Sequence, residues 1–373
     1  MNTTTLIIIT LTACLLSALC GALTIPQLLN YAKRKKIYDI PNQRKLHKNP
    51  IPRIGGVTFV PSMLLATILA ITLLNALAEQ HKNLVSTWTL TFLISLTIIY
   101  ATGIIDDIIG ATPKFKLIAQ TIAATLLTTS GLYINNLYGL FGIHAIPTVI
   151  AIPLTIILIL LITNAINLID GIDGLAASLT LIALIAFLIS FAREGLWVYA
   201  VLIAGLAGTL IPYLYYNIFG KIQNNTKLFM GDTGSLTLGY ILAFLFVKFA
   251  MHNPNVMPFR KESLLLSITI LIVPVADVIR VVYIRLRQHK HPFTADKNHI
   301  HHKLIQAKFT QHQALIIILL FAISFVPVNI ILYKVAQLPV TAILLIDIAI
   351  HIYFHHTINL RRKHIQQQTN NAQ

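Results

Sequence analysis

The sequence predicts an all-α polytopic integral membrane protein, and three observations carry that prediction. Of the 373 residues, 56% are hydrophobic and only 11% charged, with mean hydropathy +0.76; a soluble domain carries about 25% charged residues. Eleven apolar stretches are long enough to cross a bilayer, which takes about 20 helical residues. They are runs of Leu, Ile and Ala rather than short alternating segments, so helices are expected and not a closed barrel.

The first stretch, 4–25, has no basic residues before its apolar run and is followed by further spans, so it reads as a retained helix and not a cleaved leader. Cys14 and Cys20 lie inside it and make no disulfide framework. Spans 54–78 and 88–105 follow, the latter ending in GIIDDIIG (Gly103–Gly110). The fourth, 115–133, opens just after Lys114. Spans 145–163 and 174–192 flank NAINLIDGIDGL (Asn164–Leu175). The seventh covers 196–215, and the eighth, 233–250, starts within MGDTGSLTLG (Met230–Gly239). Spans 263–284, 312–332 and 338–357 complete the set. No soluble domain or repeat is visible, so 1–373 reads as one membrane domain ending in a short polar tail, 361–373.

Charge orients the chain. Of 28 Lys and Arg residues, 21 fall in segments 26–53, 106–116, 216–232, 285–311 and the tail, against five in the alternate loops. The rule that basic loops stay inside puts that face in the cytoplasm, the N-terminus outside and the C-terminus inside. The net charge of +16 is therefore a topological signal, and no nucleic-acid partner is expected. All three glutamates fall outside, whereas five of the twelve carboxylates sit in the three aspartate motifs on the inner face.

Ionisable groups at that depth are costly and mark a site. Asp106 and Asp107 are adjacent like charges, a cost recovered when a cation or proton sits beside them. Hard oxygen ligands suit Mg²⁺, which takes one or two carboxylates and leaves positions for phosphate. The plain alternative is a solvated pair at a helix end. Asn164, Asn167, Asp170 and Asp173 recur every three residues, which keeps polar groups on one helical face. They can serve a ligand or form a polar seam between helices. Asp232 opens the eighth span, where free backbone N–H groups favour an anion, or where it acts simply as a cap.

The loop from 285 reads as basic, and His299, His301 and His302 sit in DKNHIHHKL. Zinc ligation, diphosphate binding and contact with anionic lipid heads are all open to such residues. The first inner loop adds Arg44, Lys45, His47, Lys48 and Arg53, with Lys45 and His47 as substrate-binding candidates. Its earlier part, Lys33 to Lys36, also suits lipid. Asp277 and Arg280, three apart, can pair on one helical face or belong to the site. Asp347, His351, His355 and His356 have no motif partners and are expected to be structural. An ion-coupled transporter is the rival class, but its acids would be spread through the membrane depth.

Taken together, PNxRKxHxxPxPRxGG (41–56), the Asp106–Asp107 pair, NxxNxxDGxDGL, GDxGSxxLG, Pro274 with Asp277, and HIHH resemble the polyprenyl-phosphate N-acetylhexosamine-1-phosphate transferase superfamily. The match runs from about Tyr38 to Leu304. HIHH is similar to the branch that transfers GlcNAc-1-phosphate to undecaprenyl phosphate, whereas the phospho-MurNAc-pentapeptide branch typically has three consecutive histidines. Lys297 departs from the pattern, where Arg is expected.

The resemblance implies a Mg²⁺-dependent enzyme, with Mn²⁺ as an alternative, in a bacterial plasma membrane. Its substrates would be undecaprenyl phosphate and UDP-GlcNAc or another UDP-N-acetylhexosamine, within lipopolysaccharide or cell-wall biogenesis. It further implies Asp232 as metal ligand, Asp106 and Asp107 near the lipid phosphate with Asp106 as base, and a homodimer. Asn164, Asn167, Asp170 and Asp173 would line the nucleotide-sugar pocket, and His299, His301 and His302 would clamp the diphosphate.

Overall fold

The computed structural model describes residues 2–40, 49–78, 87–291 and 296–371. Its helices are α1 (Thr3–Lys35), α2 (Phe59–Ala78), α3 (Thr87–Ile109), α4 (Pro113–Thr129), α5 (Thr148–Ile169) and α6 (Leu175–Arg193). Then come α7 (Trp197–Leu214), α8 (Gly231–Ala250), α9 (Ser263–Arg287), α10 (Ile300–Gln306), α11 (Gln311–Lys334) and α12 (Val340–Asn371). Two short antiparallel ribbons pair β1 (Tyr38–Asp39) with β2 (Ile51–Pro52) and β3 (Asn136–Leu140) with β4 (Ile143–Ala145).

Ten helices among the described residues are long and apolar enough to cross a membrane. The expected fourth span is instead the 17-residue α4, started by a Thr112 side-chain cap and Pro113. Its first turn carries Lys114 and Lys116, which shortens the apolar run. The polar tail continues α12 as helix, in keeping with its Arg, Lys and Gln, which are good helix formers.

α8 is the axis of the bundle: every residue from Thr233 to Ala250 is buried. A helix enclosed on all sides needs small contact residues so that backbones can approach. Gly234 lies against Gly56, Thr233 against Gly103, and Gly239 against Thr163, so α8 packs tightly on the turn before α2, on α3 and on α5. Membrane hydroxyls bond back to carbonyls four residues earlier, as Thr102 does to Ile98 and Thr163 to Ile159, both at 2.7 Å. On the rim, Leu15, Leu23, Ile157 and Leu320 are exposed, the pattern expected when the solvent is lipid.

Candidate active site

Three helix ends meet around the acid motifs. Asp107, in the last turn of α3, accepts the backbone N–H groups of Asp232 and Thr233 at 2.9 Å each, and the Thr233 hydroxyl at 2.6 Å. It thus satisfies the free donors at the start of α8 and complements the positive end of that helix. Both of its oxygens are committed to that task, and this locks Asp232 in place. Gly231 takes φ +70, and its missing side chain leaves the space filled by the Asp107 carboxylate and the Arg53 carbonyl.

Asp106, one residue earlier, has a different environment. Its Oδ1 accepts the Ala111 N–H at 2.7 Å, and its Oδ2 is 3.4 Å from Lys116 Nζ. The same ammonium, from the first turn of α4, lies 2.7 Å from Asp232 Oδ2. Asn167, near the end of α5, donates from Nδ2 to Asp232 Oδ1 at 2.7 Å and to Ser235 at 2.8 Å. A cation therefore already stands between Asp106 and Asp232. A pair of carboxylates around a positive charge, all hard oxygen donors, fits Mg²⁺ or Mn²⁺.

Beside this corner opens a cavity of about 790 Å³, lined among others by Arg53, Asn167, Asp170, Asp173, Lys227 and His302. Arg53 donates to the carbonyls of Asp107 (2.9 and 3.1 Å) and Asp106 (3.4 Å), so it caps the negative end of α3. The Gly55 and Gly56 N–H groups bond to the carbonyls of Phe229 and Met230, and Phe229 N–H bonds back to Pro52. These bonds tie the PRIGG segment to the approach to α8. Lys227 Nζ lies 2.7 Å from Asp173 Oδ2 and also donates to the Asn217 carbonyl. Asn217 in turn accepts the Gly174 N–H at 2.6 Å and donates to the Leu228 carbonyl at 2.8 Å.

The three-residue spacing of Asn164, Asn167, Asp170 and Asp173 does not place all four on one face. α5 ends at Ile169, so Asp170 and Asp173 lie in the turn leading to α6. Asn167, Asp170 and Asp173 line the cavity, while Asn164 pairs with Gln120 of α4, its Nδ2 donating at 2.6 Å. Burial, and then the charges of Asp232, Asp173 and Asp107, push the Asp170 carboxyl up to about 8. It therefore holds its proton to higher pH than an ordinary aspartate and can serve as a donor.

The histidines divide as well. His302 is on the cavity wall. His301 is buried and packs so closely on Gly171 that any side chain at 171 would collide with its Nε2. Burial lowers His301 to about 3, so it acts through neutral N–H and lone pair rather than charge. His299 is bonded through Nδ1 to Asp277 Oδ2 at 2.8 Å. Lys45 and His47 lie outside the described residues.

Sequence reasoning named Arg53 in the inner-loop motif and Lys116 beside the Asp pair without giving either a site role, and it left out Lys227 and Asn217. Lys116 and Lys227 carried a signal, as cations a few residues from an aspartate motif. Asn217 carried none, because its role depends on the π-helical turn Tyr215–Phe219, after α7, meeting the loop before α8.

Residues 89–250 match the profile of glycosyl transferase family 4. The undecaprenyl-phosphate alpha-N-acetylglucosaminyl 1-phosphate transferase of Pasteurella multocida is 32% identical over 294 residues, covering 77% of this chain and 76% of that one. The proteins of the same name from Yersinia pestis and Haemophilus influenzae are 25% and 28% identical, over 81% and 76% of this chain and 79% and 75% of theirs.

Proposed function

Because this chain belongs to glycosyl transferase family 4, and is by that membership a phosphosugar transferase, we propose that it moves GlcNAc-1-phosphate from UDP-GlcNAc to undecaprenyl phosphate. The products are undecaprenyl-diphosphate-GlcNAc and UMP, made on the cytoplasmic face of a bacterial plasma membrane at the first lipid-linked step of an envelope polysaccharide. The observation that carries the reading is the Lys116 ammonium bridging Asp106 and Asp232 beside a cavity whose lining sets Arg53, Lys221 and Lys227 among the aspartates. Phosphoryl transfer asks mainly for positioning and charge neutralisation, and this arrangement offers both.

In this reading a phosphate oxygen of the lipid attacks the β-phosphorus of UDP-GlcNAc. The bond from that phosphorus to the bridging oxygen breaks, and UMP leaves with the oxygen. Asp106 takes the proton of the lipid phosphate, and Asp107 keeps α8 and Asp232 aligned. Asp232, with Asp106 beside it, would hold Mg²⁺ or Mn²⁺, which neutralises charge on the diphosphate oxygens when bound. Asn167 fixes the Asp232 carboxylate. Asp170, as a neutral donor, and Asp173, held by Lys227, contact the nucleotide sugar. Arg53, Lys227 and the HIHH histidines, His299, His301 and His302, face the diphosphate.

The test is UMP release by purified protein with undecaprenyl phosphate, with and without Mg²⁺, comparing UDP-GlcNAc, UDP-GalNAc and UDP-MurNAc-pentapeptide. Metal-dependent release with UDP-GlcNAc alone is expected. Release only with another donor overturns the substrate, and no release with any donor overturns the reaction.

A further inference from the structure

Asp277 lies in the second half of α9 and is fully buried at 0% exposure. A carboxylate there needs partners, and they come from four directions. His299 Nδ1 is 2.8 Å from Oδ2, and Arg280 donates to Oδ1 at 2.7 Å. The Ile300 N–H, first of α10, reaches both oxygens at 3.1 and 3.3 Å, and His355 Nε2 of α12 stands 3.7 Å from Oδ1. Arg280 also donates to the Asn298 carbonyl at 2.6 Å. Two side chains of α9, one helical turn apart, therefore hold residues 298, 299 and 300 in a row.

The chemistry of this carboxylate is directional. An ionised Asp only accepts, so a neutral His299 bonded to it carries its proton on Nδ1 and leaves Nε2 as the lone-pair nitrogen. His299 Nε2 is buried and has no protein partner among the described residues. The ring stacks nearly parallel to His301, with centroids 6.0 Å apart, and His301 rests on Gly171 of the cavity wall. The α12 imidazoles complete the enclosure: His355 Nε2 is 3.1 Å from His351 Nε2, one turn earlier. Asp277, His351 and His355 have ligand atoms within 4.8 Å of one another, a spacing that would also suit a metal ion. The Asp277 oxygens are already taken by Arg280, His299 and Ile300, however, and the Arg280 charge beside them opposes a second cation.

We infer that Asp277 is a positioning residue: it sets the tautomer and direction of His299, and α12 closes the space behind it through His355 and His351. The inference deepens the proposed function, since it rests on His299 meeting the substrate diphosphate.

Asp277→Asn is the informative variant. The amide oxygen can still cap Ile300, but the amide N–H₂ turned to His299 would move the ring proton to Nε2. Two readouts separate the outcomes. Nitrogen shifts of ¹⁵N-histidine-labelled protein, assigned by difference with His299→Gln and read on the neutral ring at high pH, should report Nδ1–H in the wild type and Nε2–H in Asp277→Asn. With UDP-GlcNAc as probe, kcat should fall at least about 10-fold, since the ring would carry its proton on the wrong nitrogen, while KM changes far less. An unchanged tautomer or an unchanged kcat in a folded Asp277→Asn overturns the inference.

Should that variant not fold, the wild type decides alone, and Nε2–H on its His299 is the refuting result. His355→Gln supplies an independent check: a smaller fall in kcat supports the role of α12, and wild-type kinetics remove it. If no UDP-sugar releases UMP, the proposed reaction fails, yet the tautomer measurement still judges Asp277.

Discussion

Replacing Lys116 with Met removes the cation at the proposed metal corner, and keeps the length and apolar stem of the side chain. The Lys116 side chain is 22% exposed and that of Asp232 26%, so their pair at 2.7 Å is only partly screened. A second contact, to Asp106, is longer at 3.4 Å. A hydrogen bond to a charged group is worth about 1.5–3 kcal/mol, and a metal arriving at Asp232 has to displace it. At about 1.4 kcal/mol per tenfold, Lys116→Met should bind Mn²⁺ about 10- to 100-fold more tightly in the absence of substrates. Calorimetric titration of detergent-solubilised protein measures this directly, with Mn²⁺ reporting for Mg²⁺. Turnover should move the opposite way and fall, because the diphosphate loses a neutralising charge. Unchanged or weaker Mn²⁺ binding in a folded Lys116→Met would refute the reasoning, and would make the ammonium a structural tie between α4 and α8.

Asp232→Asn should abolish UMP release and weaken Mn²⁺ binding, and full activity would remove Asp232 from the metal corner. Gly171→Ala should drive the His301 ring away from its seat behind Gly171; overpacking of this kind costs about 1–3 kcal/mol. Thermal unfolding and UMP release should therefore both decline, and wild-type values in both would mean that the His301 ring has room to move. Asp170 gives a pH prediction. Its carboxyl stays protonated in the folded protein up to about 8, whereas the unfolded chain releases the proton near about 4. The folded state then binds the extra proton, so the stability from this group is complete below about pH 4, wanes as pH rises and is gone above about 8. The melting temperature of the wild type should drop across that window more steeply than that of Asp170→Asn. Parallel curves would refute the assignment.

The bundle was legible because lipid demands long apolar helices, and apolar runs are visible one residue at a time. Sequence spans 174–192 and 196–215 lie within a few residues of α6 and of α7 with the turn that follows it. Where the reading slipped, the cause was contact between distant segments. Asn164 has the same spacing as Asn167, yet Gln120 on α4 claims it, a partner 44 residues away. Lys116 and Lys227 looked like orienting charges of inner loops until α3, α8 and the turn after α5 brought aspartates to them. His351 and His355 had no motif, and only the packing of α12 near α9 brings them beside Asp277. Local pattern gives elements and their ends; pairing across the bundle is a property of the fold.

The central position of α8 bears on how the chain is made. Measured by its residues, α8 is less apolar than all but one of the ten candidate spans, and it carries Asp232, several hydroxyls and the buried Lys248. Left facing acyl chains, such a segment would insert poorly. During synthesis, however, α3, α5 and α6 precede it, and Trp88 and Tyr199, which flank the Lys248 ammonium at 3.8 and 5.4 Å from their ring centres, also come earlier in the chain. The aromatic cradle is thus translated before the lysine that needs it. The order of the helices along the chain gives a poorly lipophilic axis protein neighbours from the moment it enters the bilayer.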